Sequence, residues 1–193
     1  MDDPSRPEVI LTLLRNIAAS LQPQGRIGVV DFTPGNGGPG PAADERVALL
    51  AALPLLLHRS PERFLEVGLG SGITLGAAAN FPLKEIDCAE IAASVIRSVR
   101  FFQPDNRGAA SGGDPRIRIA HADGRAWLLG ARGRYDVIVG NTVQPWALGA
   151  TGLYSREYFD RMRGALRDGG VAAQWLPLRR IHAEDLAAIL RTF

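Results

Sequence analysis

From residue 61 onward, compact apolar blocks alternate with amphipathic stretches across short polar connections. Residues 63–67 (RFLEV) predict a short strand ending in a glycine turn, with a helix over 73–80 behind it. A second strand over 84–90 and a helix over about 92–102 follow. Residues 103–114, rich in Gly, Pro, Asn and Asp, read as a loop. Next come a strand over 116–120, a short helix over 123–129 and the clearest strand of all, 135–139 (YDVIV), β-branched and buried in pattern. After a loop to residue 153, an amphipathic helix over 155–166 is stopped by Gly169-Gly170. A strand over 171–175 and a helix from about 183 complete the series. Strands alternating with helices predict an α/β fold with a doubly wound parallel sheet.

The first sixty residues follow a different pattern. Positions 7–21 carry apolar residues at helical spacing, 26–32 read as a strand, and 33–41 (TPGNGGPGP) form a loop or linker. Asp44 is expected to cap a helix running to Leu57. The helix, Gly-containing turn and strand of 17–30 weakly echo those of 162–175. The expected organisation is therefore a helix-strand segment and linker over 1–43, followed by one domain over 44–193.

Composition narrows the function classes. The 193 residues are 46% hydrophobic and 22% charged, a balance that supports one folded domain with a sizeable core. The longest apolar stretch, 47–57, is interrupted by Pro54 and falls short of a bilayer span, so a core helix is expected there. No secretory signal pattern follows the acidic opening Met1-Asp2-Asp3-Pro4. The single cysteine, Cys88, excludes an internal disulfide and fits a reducing, cytoplasmic setting. The net charge of +2 comes from dispersed arginines, with Lys84 the one lysine. Clustered cations for tracking phosphates are missing, so no nucleic-acid partner is expected.

Candidate chemistry concentrates after the strands. Glu66-Val67-Gly68-Leu69-Gly70-Ser71-Gly72 is a glycine turn between strand and helix, where backbone can pass close to a ligand. Glu90 stands at the end of the next strand, where a carboxylate can accept both hydroxyls of a ribose. Asp123-Gly124 follows the third strand; its acid can reach the amino group of an adenine and equally can cap the helix behind it. Asn141 follows the 135–139 strand, where a reacting group would lie, and Tyr154 follows the loop beyond. His58, His121 and His182 lack metal-ligand spacing, and no metal is expected. Cys88 reads as inert core. Trp127, Trp146 and Trp175 read as packing residues, with Trp146 the one placed to line a pocket.

Five pieces carry a resemblance: ERVALLAALPLLLH (45–58), FLEVGLGSGITLGAA (64–78), DPRIRIAHADGRAWL (114–128), RYDVIVGNTVQPW (134–146) and LYSREYFDRMRGALRDGGVAAQWLPL (153–178). In order and spacing they resemble the spermidine synthase family of aminopropyltransferases, above all bacterial spermidine synthase-like domains often fused to membrane segments. The resemblance implies the Rossmann-like fold of class I S-adenosylmethionine-dependent methyltransferases. It implies that Glu90 holds the ribose, that Asp123 and Gly124 border the adenine, and that Gly68, Gly70, Ser71 and Gly72 face the sulfonium side chain. S-adenosylmethionine, or its decarboxylated form, is the implied co-substrate, and a small molecule the implied acceptor. Family members often dimerise, so a homodimer is a further expectation.

Departures from the family pattern qualify these expectations. Where the family places an aspartate that helps deprotonate the attacking amine, this chain has Asn141, and a neutral amide cannot act as that base. The acid of the polyamine pocket three residues on is Gln144, and the acid of the glycine turn is Ser71. Glu66 resembles instead the first acid of ordinary methyltransferases. Residues 20–41 resemble the late helix-turn-strand of a small-molecule methyltransferase rather than a spermidine synthase hairpin, and the carboxyl end is short of the family's last strands. Either the chain is a fragment, or residues 26–32 supply a missing strand. The expected function is a spermidine synthase-like transferase; the alternatives are a small-molecule methyltransferase and a non-catalytic nucleoside-binding domain.

Overall fold

The computed structural model describes residues 26–30, 41–103, 105–109, 112–142, 144–177 and 181–192. Its six strands are β1 (Arg26–Val30), β2 (Arg63–Val67), β3 (Glu85–Glu90), β4 (Ile117–His121), β5 (Tyr135–Gly140) and β6 (Leu166–Trp175). They form one sheet in the order β1-β6-β5-β2-β3-β4, and every neighbouring pair is parallel. The helices are α1 (Pro41–Leu57), α2 (Ile73–Ala78), α3 (Ala93–Ser98), α4 (Gly124–Leu129), α5 (Arg156–Ala165) and α6 (Ala183–Thr192).

Two apolar layers cover the sheet because successive strand residues face opposite ways. Phe64, Val137, Val139 and Ala173 pack with Leu50 and Leu55 of α1 and Leu75 of α2. Their neighbours Leu65, Ile138 and Ala172 pack with Leu128 of α4 and with Tyr158, Phe159 and Met162 of α5. Tertiary burial of both faces explains why these strands read as nearly continuous apolar runs. Cys88 is fully buried in the first layer. Among the described residues, no helix is long and apolar enough to cross a membrane. α1, apolar from Val47 to Leu57, leaves Leu56 71% exposed.

β1 lies along the outer edge of β6, from Arg26 opposite Val171 to Val30 opposite Trp175. Residues 26–30 thus add a sixth strand, and the echoed strands pair in phase. The expected helix over 7–21 and linker over 33–40 lie outside the described residues.

Three boundaries differ from expectation. α1 begins at Pro41, so Asp44 lies inside its first turn instead of capping it; proline's fixed φ suits the first helical position. The helix expected over 92–102 ends at Ser98 and continues as a 3-10 turn, Val99–Phe102. Here the Val99 carbonyl is taken by the Asn106 side-chain amide at 2.8 Å, while Val99 itself is buried against the glycine turn. Gly169-Gly170 is not a stop before a strand but part of β6, which runs from Leu166. The pairing with β5 jumps from Tyr135–Leu166 to Val137–Val171, so residues 167–170 are accommodated as a bulge.

Candidate active site

The chain runs outward from β2 through β3 to β4 on one side and from β5 to β6 on the other, with β1 at the outer edge of β6. The crevice at such a reversal, beyond the carboxyl ends of the strands, is where open parallel sheets bind ligands. A cavity of about 670 Å³ opens there, bounded by Val67 and Gly68 after β2, Ala89 and Glu90 of β3, and Asn141 after β5.

Two backbones meet closely at its floor. The Asn141 N–H donates to the Val67 carbonyl at 2.9 Å. Gly68 has φ +91°, and a Cβ on it would run into the Asn141 carbonyl oxygen. Only glycine fits that approach. Gly70 differs: at φ +52° its nearest neighbour in the direction of a Cβ is Asn141 Nδ2, 3.8 Å away, so the space above it is open. Gly124 also lines the cavity, pressed against Val67.

Glu90 holds the glycine turn against β3. Its Oε2 accepts from the Leu69 N–H at 2.8 Å and its Oε1 from the Ala92 N–H at 2.7 Å. Each oxygen keeps further acceptor capacity, and the residue borders the cavity. Asp123 performs the cap role seen in its sequence context. It accepts from the Arg125 N–H at 2.8 Å and pairs with the Arg125 guanidinium at 2.8 Å, which holds its carboxyl below the usual range. It borders the cavity as well.

Glu66 lies behind the glycine turn instead of on the cavity wall. It is fully buried; Asn141 Nδ2 donates to its Oε1 at 2.9 Å, while Oε2 has no hydrogen-bond partner. Burial outweighs that bond and pushes the Glu66 carboxyl up to about 8. Ser71 and Gly72 also stand off the wall. The Ser71 carbonyl accepts from Asn106 Nδ2 at 3.1 Å, and a Cβ on Gly72 would lie 2.8 Å from Val99 Cγ2.

The other side of the cavity carries Asn141, Thr142 and Gln144. Tyr154 sits behind this wall, 7% exposed, and accepts from Thr142 Oγ1 at 3.0 Å; Gln174 Nε2 in turn donates to Thr142 Oγ1 at 2.8 Å. Of the residues singled out in the sequence, Gly68, Gly70, Glu90, Asp123, Gly124, Asn141 and Gln144 thus meet around one space. Glu66, Ser71, Gly72 and Tyr154 support it from outside.

Several wall residues were not foreseen. Arg125 reaches across to the loop after β5, where a Cβ on Gly152 would lie 2.7 Å from its Nη1. Its place in the first turn behind Asp123 was the available signal. Trp175, not Trp146, lines the cavity, because β6 ends beside β5 and delivers its last residue to the same edge. Trp127 donates to the Tyr135 hydroxyl at 2.9 Å, away from the site. His121 Nε2 meets the Ile91 carbonyl at 2.9 Å and His58 Nδ1 accepts from the Ser60 N–H at 3.3 Å. Among the described residues, no cluster of three metal-ligating side chains occurs.

Comparison with known proteins connects this geometry to a family. The spermidine synthase of Dictyostelium discoideum is 32% identical over 142 residues, covering 73% of this chain and 49% of that protein. Putrescine N-methyltransferase 1 of Nicotiana tabacum is 34% identical over 125 residues, covering 64% of this chain and 32% of that protein. A solved spermidine synthase in complex with the transition-state analogue AdoDATO superposes with a TM-score of 0.58 at 25% identity, over 64% of this chain and 42% of that one. The chain spans about half the length, or less, of these relatives. The spermine/spermidine synthase domain model matches residues 46–191, and the chain belongs to that family.

Proposed function

We propose that the chain binds S-adenosylmethionine or its decarboxylated form in the cavity after β2, β3 and β5, and transfers an alkyl group from it to a small-molecule acceptor. The observation that carries this reading is the convergence of the glycine turn, Glu90 and Asp123 on one cavity at the sheet's reversal. The open space above Gly70 suits a ligand lying against backbone, and Glu90 is placed to accept from ribose hydroxyls. The sulfonium of such a nucleoside supplies an activated carbon, whose bond to sulfur breaks as the acceptor's lone pair attacks. The protein's part is to hold donor and acceptor in line. Asn141 fixes the wall beside the reacting region through Val67 and Glu66, and its amide is not a base; the acceptor's proton passes to water. Methyl transfer from intact S-adenosylmethionine is a second reading. A putrescine N-methyltransferase among the relatives supports it. A buried, free Cys88 fits work in a reducing cytoplasm.

Calorimetric titration with S-adenosylmethionine, its decarboxylated form and methylthioadenosine tests the proposal. Tighter binding of the decarboxylated ligand supports aminopropyl transfer, and preference for the intact ligand supports methyl transfer. Absence of binding by all three overturns both.

A further inference from the structure

We propose that the acceptor of this site is an uncharged, largely apolar molecule, and that di- and polyamines are excluded by the wall around Asn141. The inference rests on the reading of the cavity as a donor-nucleoside site and names what lies opposite the nucleoside.

The argument is one of charge and solvation. Among the described residues lining the cavity, the carboxylates are Glu90 at the end of β3 and Asp123 after β4. Glu90, held by two backbone N–H groups, faces the part of the cavity proposed for the nucleoside, and Asp123 is paired with the Arg125 guanidinium. The polar side chains on the β5 side, those of Asn141, Thr142 and Gln144, are neutral. Thr142 spends its hydroxyl on Tyr154 and Gln174. Glu66, close behind Asn141, is buried with a carboxyl that favours its protonated form near neutral pH. Among the described residues, this part of the wall presents no ionised carboxylate to an ammonium. An ammonium leaving water for such a wall loses hydration that nothing replaces.

The same wall favours apolar matter. Leu153 and Trp175 line it, and Leu148 stands fully exposed at its rim. Trp146, two residues before Leu148, is 55% exposed. Exposed apolar side chains grouped beside a cavity mark a surface that an apolar ligand covers. Gln144 then supplies a neutral donor and acceptor to orient one hydroxyl or uncharged nitrogen of the acceptor.

The test uses the full chain saturated with S-adenosylhomocysteine, titrated calorimetrically with 4-phenylbutanol, 4-phenylbutylamine and 1,4-diaminobutane. The expected order of affinity is alcohol, then monoamine, then diamine, with at least about a tenfold difference between first and last. Asn141→Asp combined with Gln144→Asp is expected to raise diamine affinity by at least about tenfold, through the two carboxylates it adds. Diamine binding as tight as that of the alcohol in the unaltered chain overturns the proposal. So does failure of all three to bind while S-adenosylhomocysteine binds. Failure of S-adenosylhomocysteine itself to bind overturns the nucleoside reading, a result visible before any acceptor is added.

Discussion

The Asn141 side-chain amide donates to Glu66 Oε1 at 2.9 Å, joining the end of β5 to a carboxyl buried in β2. Around this bond the cavity floor is assembled. Asn141 also ties its backbone N–H to Val67, and its carbonyl leaves no room for a side chain on Gly68. Asn141 is therefore a structural joint between the two strands that flank the sheet's reversal.

The Glu66 carboxyl makes stability depend on pH. Its folded pKa of about 8 lies above the ordinary value of 4.5, so between these values the folded state holds a proton that the unfolded state has released. Stability is then highest below about pH 4.5 as far as this group is concerned, and falls as pH rises to about 8. The slope approaches ~1.4 kcal/mol per pH unit. Glu66→Gln, which keeps an amide in place of the protonated acid, is expected to remove this slope. Urea denaturation at several pH values between 5 and 8 checks it, and parallel curves for the two proteins would refute it.

Gly68 and Gly70 separate packing from ligand space. Gly68→Ala combines a left-handed backbone with a collision against the Asn141 carbonyl, and is expected to cost about 3 kcal/mol or more. Gly70→Ala meets open space and bears only the backbone strain, about 1–2 kcal/mol. Nucleoside affinity should nevertheless fall in Gly70→Ala, whose methyl group enters the region proposed for the ligand. Thermal melts with calorimetric titration distinguish the two; equal melting temperatures would show that the Gly68 approach is relaxed at little cost.

The residues that touch across the site were legible in the sequence when they sat on the glycine turn or at a strand end. Strand alternation placed Gly68, Glu90 and Asn141 at one edge of a parallel sheet, and turn chemistry placed Asp123 as a cap. Side-chain direction was less accessible. Nothing local in Glu66 distinguishes a carboxyl facing a ligand from one buried behind the turn; only its pairing with Asn141, far along the chain, decides that. Trp175 and Arg125 were missed for a related reason, since each reaches the cavity through the neighbour of its own element. The Gly169-Gly170 pair resembles a helix stop because helix ends and strand irregularities both commonly use a glycine at positive φ, here +78° at Gly169.

Cys88 offers a probe of folding independent of ligand. The thiol lies in β3, fully buried, and burial pushes its pKa well above the ordinary thiol value. Reaction with a disulfide reagent requires the thiolate and access, so it is expected to be negligible in the native protein at pH 8 and rapid in guanidinium. Prompt stoichiometric labelling of native protein would show that β3 opens readily.

Glu90 links the stability of the site to its proposed occupancy. Glu90→Ala removes the acceptor for the Leu69 and Ala92 N–H groups, so the apo protein should lose about 1–3 kcal/mol of stability. It also removes the carboxylate proposed to accept from ribose hydroxyls, and hydrogen bonds to a charged partner contribute about 1.5–3 kcal/mol, so affinity for S-adenosylmethionine should fall at least tenfold. Glu90→Gln separates the two effects. Its single carbonyl oxygen can serve one backbone N–H, while its amide group faces the other donor and cannot replace the carboxylate toward two hydroxyls. The expected result is affinity reduced in both variants, with melting temperature measured without ligand to show how much of the loss comes from the turn. Affinity unchanged in a folded Glu90→Ala protein would remove this residue from the nucleoside site and leave it a clamp between β3 and the glycine turn.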